Sequence, residues 1–273
     1  MEKRGQGIQF NWIFVIIAGA LFLIFFAFFS VRYIDLEQSK ENGKIVRALD
    51  SSILGAKGIS QYKVFGEDFS DFVLEYNCER MYINEDQSIE SSSVIFVEDK
   101  SEGPFSMWSQ NYEKPYLIDT VVYLWNSDLK FYFSGVSEEF MDEIPNELKI
   151  TSEGNADVLV YFGGAEPNPN KKVIAFNGNQ IWYVNEDKYF NYNGDNVFVY
   201  GAMFSSPDVF ECSKNYLEER KNSLKELYIK KAQYFGSKCA EYGQIIGALR
   251  DDNINSIISL NEALDNHGCE VIY

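Results

Sequence analysis

An unbroken apolar run near the N-terminus limits what this chain can fold into more than any other feature. Residues 12–31, WIFVIIAGALFLIFFAFFSV, contain no charged side chain. At a rise of about 1.5 Å per residue, a helix of about 20 residues crosses a hydrocarbon core of about 30 Å. The run predicts a transmembrane helix over residues 12–33, preceded by a short tail over residues 1–11.

Two other interpretations of this run fit less well. A cleaved signal peptide has an apolar region of about 7–15 residues and a small-residue cleavage site, whereas this run is longer and ends in FFSVR. A core helix of a soluble protein seldom reaches this length without a polar face. Phe10, Trp12 and Tyr33 also lie where the aromatic belts of a membrane span are expected.

Basic residues beside the run do not decide which way it crosses the membrane. Lys3 and Arg4 precede it, and further basic residues follow it, namely Arg32, Lys40, Lys44 and Arg47. However, long C-terminal domains translocate largely regardless of charge, and the domain after the span carries all four cysteines. We expect a single-pass protein of the cell membrane with a cytoplasmic N-terminus and an extracytoplasmic C-terminal domain.

The part of the chain after the span is acidic and large enough for a proper core. About 240 of the 273 residues follow the span, and the net charge of the whole chain is −17. That charge disfavours nucleic acid and anionic lipid headgroups as partners, because both would repel it. The expected partners are the lipid bilayer and other membrane or surface proteins, and the oligomeric state stays open.

Hydrophobic periodicity divides this part into three segments and predicts the α+β class. Residues 34–58 have apolar side chains at helical spacing and predict an amphipathic stalk helix, loosened at Gly43 and ended by Gly55 and Gly58. Residues 59–206 are rich in strands, in a mixed or mainly antiparallel sheet. Residues 207–273 return to helical spacing and predict a helical hairpin or a three-helix subdomain.

Within the β-rich segment, turn signals separate the predicted strands. Residues 72–83, 94–97 and 157–162 are interpreted as strands, the last of them central, and residues 138–148 as a short helix. The runs 117–125 and 129–133 predict a hairpin with its loop between them.

Two Asn-Gly pairs are the strongest local signals in this segment. They occupy residues 177–178 and 193–194, and each is flanked by apolar runs. Asn-Gly readily accepts the positive φ that type I′ hairpin turns require. Together the two pairs predict an antiparallel meander over about residues 173–204.

The cysteines predict two disulfides. Cys78, Cys212, Cys239 and Cys269 form no C-x-x-C pair, and His267 is the only histidine. Because zinc sites gather closely spaced ligands, we expect no metal site. Well-separated cysteines in an extracytoplasmic domain are typical of disulfides.

The order of the predicted helices favours one of the three possible pairings. If three C-terminal helices run up and down, Cys212 begins the first and Cys239 begins the second at the opposite end. Cys269, just past the third helix, returns to the level of Cys239. A disulfide requires Cα atoms within about 7 Å, which favours Cys239 with Cys269. Cys78, on a strand, then pairs with Cys212.

No arrangement of catalytic side chains is recognisable. The single His267 is interpreted as a helix-terminal residue that interacts with the last carbonyls, and no phosphate-binding loop or dinucleotide fingerprint occurs. Residues 163–164 are interpreted as a surface loop. Asn191, Asn193 and Asp195 carry side-chain oxygen atoms at every second position, as calcium ligands often do. They lack the spacing of a calcium loop, so we interpret this segment as a hairpin turn. We expect no catalytic residue and no cofactor.

The N-terminus resembles the signal of archaeal type IV pilins. Residues 3–6, KRGQ, precede the apolar run, and in that family a prepilin peptidase cuts after the glycine. The family usually has a Glu at the fifth mature position, where this chain has Phe10. With 18 Lys against 6 Arg, the chain is also similar to uncharacterised single-pass surface proteins of AT-rich archaeal genomes.

These observations give one leading functional hypothesis and two alternatives. The leading hypothesis is a non-enzymatic, membrane-anchored extracytoplasmic protein that serves assembly or binding. The first alternative is a pilin-like filament subunit, which the N-terminal resemblance implies. The second is a membrane-tethered enzyme or ligand receptor, which requires a pocket with convergent polar groups.

Overall fold

The computed structural model describes residues 5–56, 63–65, 72–85, 87–90, 93–192, 194–236 and 238–273. Its α-helices are α1 (Gly5–Ala56), α2 (Glu138–Glu143), α3 (Asn196–Phe204), α4 (Pro207–Phe235), α5 (Glu241–Arg250) and α6 (Ile254–Asn266). Its strands are β1 (Lys63–Phe65), β2 (Phe72–Tyr76), β3 (Arg80–Ile83), β4 (Gln87–Glu90), β5 (Val94–Phe96), β6 (Lys100–Gly103), β7 (Phe105–Glu113), β8 (Leu117–Asn126), β9 (Lys130–Ser134), β10 (Lys149–Ile150), β11 (Val158–Phe162), β12 (Lys172–Asn177), β13 (Gln180–Tyr183) and β14 (Lys188–Asn191).

The strands form three sheets, which we name the central, antiparallel and mixed sheets. The central sheet has the order β1-β7-β8-β5, and the antiparallel sheet has the order β4-β3-β2-β6. The mixed sheet has the order β10-β9-β11-β12-β13-β14, with parallel pairs up to β12 and antiparallel pairs after it. Together with the apolar helix at the N-terminus, these sheets and the helices after them confirm the α+β class.

The central sheet is buried on both faces, which explains the continuous apolar character of β8. Val121, Tyr123 and Trp125 face a large core shared with the mixed sheet and with α3–α6. Val122 and Leu124 face a second core, formed with the antiparallel sheet and α1. A strand buried on both faces shows no polar alternation.

The predicted strand over residues 72–83 is wrong in one respect, because the structure divides it into two strands. β2 and β3 pair in antiparallel fashion, with Leu74 opposite Ile83 and Tyr76 opposite Met81. Cys78 lies in the turn between them with a φ of 74°, so it is not on a strand as predicted. Such a positive φ is uncommon outside glycine.

The predicted hairpin over residues 117–133 is also wrong. β8 belongs to the central sheet, whereas β9 pairs with β10 and β11 in the mixed sheet. Residues 126–128 therefore form a corner at which the chain passes from one sheet to the next. Local turn residues predict a change of direction but not which strand the chain meets afterwards.

The two Asn-Gly pairs have different outcomes. The first marks the β12–β13 hairpin, although Asn177 pairs with Gln180, so that Gly178 and not Asn177 begins the turn, with a φ of 59°. The second lies in part outside the described residues, since Asn193 is not among them. The predicted strand after it is wrong: this segment is α3, and all of its residues after Asn196 are buried. A short, fully apolar run does not distinguish a buried helix from a buried strand.

Other predicted elements are confirmed. β11 lies inside the mixed sheet between β9 and β12. A short helix, α2, begins at the residue predicted, but it ends before Pro145. Helices α4–α6 occupy the region from Pro207 onward, where a helical hairpin or a three-helix subdomain was predicted. The stalk helix continues through Gly43 without interruption, in contrast to the predicted loosening, and Gly58 lies outside the described residues.

A tight contact between α3 and β5 gives a test of this packing. A Cβ added to Gly201 would lie 2.7 Å from a ring atom of Phe96, closer than real Cβ contacts. We expect Gly201→Ala to lower the free energy of unfolding by about 1–3 kcal/mol through overpacking. Gly243→Ala is the control, because it lies on α5 with open space around it and should be neutral or stabilising by up to about 1 kcal/mol. Urea titration of both variants measures the difference, and equal values would contradict the contact.

Candidate functional site

The most exposed apolar surface belongs to the first half of α1. Its large apolar side chains from Trp12 to Leu36 are between 54% and 73% exposed. Among the described residues, α1 is the one helix long and apolar enough to cross a membrane. The side chains are apolar all round the helix, and monomeric soluble proteins rarely expose contiguous apolar patches above a few hundred Å².

The second half of α1 packs on the domain and so connects the apolar half to it rigidly. Leu49 and Ile53, one helical turn apart, are buried in the core beneath the antiparallel sheet. Hydrogen bonds join the helix to the turn after β3 and to the start of β4. Asn84 Nδ2 donates to Asn42 Oδ1 over 2.8 Å, and Gln87 Nε2 donates to the Ser39 carbonyl over 3.1 Å. The stalk is therefore part of the domain and not a free linker.

Substitution of one stalk leucine tests this docking. Leu49 is 2% exposed and Leu54 is 54% exposed on the same helix. We expect Leu49→Ala to cost about 2–5 kcal/mol of unfolding free energy, because it leaves a cavity in the core. Leu54→Ala should stay within about 0.5 kcal/mol of the parent protein. Urea unfolding of detergent-solubilised protein compares them, and an equal loss in both would contradict the docked arrangement.

The four cysteines lie in two pairs at disulfide distance. Cys78 and Cys212 have Cα atoms 6.2 Å apart and join the antiparallel sheet to α4. Cys239 and Cys269 have Cα atoms 6.6 Å apart and join the start of α5 to the end of α6. These are the two pairs that the helix order predicts. Disulfides persist in oxidising compartments.

His267 has a different partner from the one predicted. Its Nδ1 lies 2.7 Å from Glu241 Oε1, whereas we predicted that it interacts with the last carbonyls of its helix. The backbone N–H of Glu241, at the start of α5, and the hydrogen bond from His267 lower the pKa of the Glu241 carboxyl. Sequence reasoning missed this pair, although Cys-x-Glu at residue 239 and His-x-Cys at residue 267 show the same spacing.

A shallow cavity beside the loop after β11 contains no reactive arrangement among its lining residues. It has a volume of about 620 Å³ and is lined by Glu153, Tyr161 and residues 164–168, among others. The Tyr161 hydroxyl donates to Glu153, and burial together with this carboxylate raises the pKa of Tyr161 to about 12. Tyr161 therefore stays protonated at neutral pH.

Two further cavities hold polar groups that mostly bind one another. One of about 630 Å³ contains Lys172, which pairs with Glu98 and donates to the Ser205 carbonyl over 2.6 Å. The other, of about 410 Å³, lies between β7, α2 and α3. There Glu143 Oε2 accepts hydrogen bonds from Asn196 Nδ2 at 2.9 Å and from the Tyr200 hydroxyl at 2.8 Å. Asp195, considered above for calcium, pairs instead with Lys114.

Comparisons with protein families, with curated proteins and with solved structures find no match to this chain. The interpretation of function therefore depends on the residues and contacts described above. Of these, the apolar half of α1 is the surface with the largest unexplained exposure.

Proposed function

We propose that this is a single-pass membrane protein whose acidic α+β domain lies outside the cytoplasm and serves assembly or binding. One observation carries the proposal: residues 12–31 of α1 expose apolar side chains on every side, and the second half of the helix is docked on the domain. A bilayer covers such a helix, and the docked half then holds the domain close to the membrane surface. The two cysteine pairs support the extracytoplasmic location.

Fractionation and protease treatment of intact cells test this proposal. Protein anchored by a span should stay in the membrane pellet after extraction at alkaline pH, which strips peripheral proteins. Protease added outside the cells should degrade the domain and leave a protected fragment that contains residues 12–33. Full protection of the domain would overturn the orientation, and release by alkaline extraction would overturn the anchor. Permeabilised cells provide the control that the protease reaches the domain.

A second candidate function is a pilin-like filament subunit. The observation that favours it is the continuity of α1, whose 52 residues run without a break from the apolar half to the docked half. In a filament, the apolar halves of neighbouring subunits would cover one another in place of lipid. Mass spectrometry of the mature N-terminus separates the two functions. A chain that begins at Gln6 supports pilin processing, and an intact segment 1–5 excludes it.

A further inference from the structure

Three side chains that commonly bind metals lie together where α5 begins and α6 ends, and a fourth lies beside one of them, at a place that we name the α5–α6 corner. The three are Cys239, Glu241 and Cys269, and the fourth is His267, beside Glu241. The two sulfur atoms and a carboxylate oxygen of Glu241 all lie within 4.8 Å of one another. Nδ1 of His267 is 2.7 Å from Oε1 of the same carboxylate.

Local backbone structure holds these groups in place. α6 ends with Gly268 at a φ of 69°, and the N–H of Cys269 donates to the Leu264 carbonyl over 2.8 Å. This Schellman-type ending fixes the direction in which the chain leaves the helix. It sets His267 and Cys269 beside the first turn of α5, where Glu241 lies. The arrangement is therefore part of the fold and does not depend on the disulfide alone.

We propose that the α5–α6 corner binds a zinc-type divalent cation when its disulfide is reduced. Two thiolates, an imidazole nitrogen and a carboxylate oxygen form a tetrahedral donor set that zinc accepts. Bonds of about 2.3 Å to sulfur at the tetrahedral angle place the two sulfur atoms about 3.8 Å apart. The sulfur atoms must separate to that distance, while the carboxylate and the imidazole are already adjacent.

The α5–α6 corner passes between a disulfide form and a reduced, metal-bound form. A dithiol reductant transfers two electrons and two protons to the Cys239–Cys269 disulfide and itself becomes a disulfide. The cation then replaces the two thiol protons, which go to solvent, and neutral His267 donates a nitrogen lone pair. In the reverse step the disulfide form of such a reductant takes two electrons from the thiolates and two protons from water, the Cys239–Cys269 disulfide forms again, and the cation is released. Such a site would give the domain a property beyond its proposed role as a membrane-anchored assembly or binding protein, because metal binding would depend on the redox state around the domain.

The other cysteine pair serves as a matched control within the same chain. The small cavity beside Cys78 and Cys212 is lined by the hydroxyl residues Tyr76, Ser93, Ser213 and Tyr216, together with Val94. None of these lining residues is a carboxylate or an imidazole. Reduction of this pair yields two thiols without the two further ligands.

Cobalt binding to the full-length protein in detergent tests the proposal. The protein is reduced with a phosphine, whose phosphorus takes the oxygen of water while the water protons go to the thiols. We expect the reduced protein to bind one Co²⁺ with the visible absorption of a tetrahedral sulfur site, displaced by Zn²⁺, and the oxidised protein to bind none. The double variant Cys78→Ser/Cys212→Ser should keep this spectrum, and Cys239→Ser/Cys269→Ser should lose it.

Two single variants separate the proposed site from metal binding by thiols in general. Glu241→Gln and His267→Ala keep both disulfides during folding and are reduced only afterwards. Each should weaken Co²⁺ binding by about tenfold or more, a loss that even outer-shell partners of metal ligands cause. Absence of binding to the reduced parent protein would overturn the proposal. So would unchanged affinity in both single variants, or equal loss in the two double-serine variants.

Discussion

Replacement of Ile17 and Ile24 by arginine should move the full-length protein out of the membrane fraction. Each arginine near the centre of a span costs about 2.5–3.5 kcal/mol of insertion free energy. Residues 12–31 contain fourteen Leu, Ile, Phe and Val residues. The twelve that remain in the double variant favour insertion by about 4–7 kcal/mol. The two arginines therefore cancel the free energy of insertion. Alkaline extraction followed by immunoblotting of pellet and supernatant measures the shift.

The matched control places the same two charges farther along the helix. Leu36 and Gln38 are exposed and lie after the apolar run. Leu36→Arg with Gln38→Arg should leave the protein in the pellet, because arginine at the interface reaches water. If the Ile17 and Ile24 double variant also stays in the pellet, the apolar half of α1 is not the anchor, and a cover of protein, as in a filament, becomes the better explanation.

Removal of the Cys78–Cys212 pair should destabilise the domain more than removal of the Cys239–Cys269 pair. The two pairs have sequence separations of 134 and 30 residues. Loss of loop-closure constraint in the unfolded chain costs about 5 kcal/mol for the longer loop and about 4 kcal/mol for the shorter one. The Cys78–Cys212 pair also joins the antiparallel sheet to α4, so its removal takes away the covalent link between these two parts of the fold. Urea unfolding of the two double-serine variants gives both values.

Non-reducing peptide mapping is the control for this comparison. It should recover a Cys78–Cys212 peptide and a Cys239–Cys269 peptide from the parent protein, and one of them from each variant. A larger loss of stability in the Cys239→Ser/Cys269→Ser variant would contradict the loop-closure argument. A Cys212–Cys239 peptide would contradict the order of the C-terminal helices.

Part of the structure could be predicted because its signals are local. The length of the apolar run and its lack of charged residues predict the first part of α1. Both properties are read from the run alone and do not depend on contacts with the rest of the chain. The C-terminal helices have local start and end signals. Pro207 is the first residue of α4. The side chain of Asn253 caps the start of α6 by accepting from the Ser256 N–H, and Gly268 follows its end. Their order alone brings Cys239 and Cys269 to the same end.

The rest was decided by tertiary contacts that leave no local signal. Residues 196–204 are apolar throughout, so only the surrounding core determines that they form α3 and not a strand. Residues 126–128 would form a turn both in the predicted hairpin and in the observed passage between two sheets. The pairing of β9 with β11 decides that β9 belongs to the mixed sheet. His267 and Glu241 are 26 residues apart, and the α5–α6 packing brings them together. The sequence by itself determined the membrane-length helix and the helical C-terminus, since spacing and caps act within a few residues. Strand partners and the α5–α6 corner depended on the tertiary structure, because they join residues that are distant in the chain.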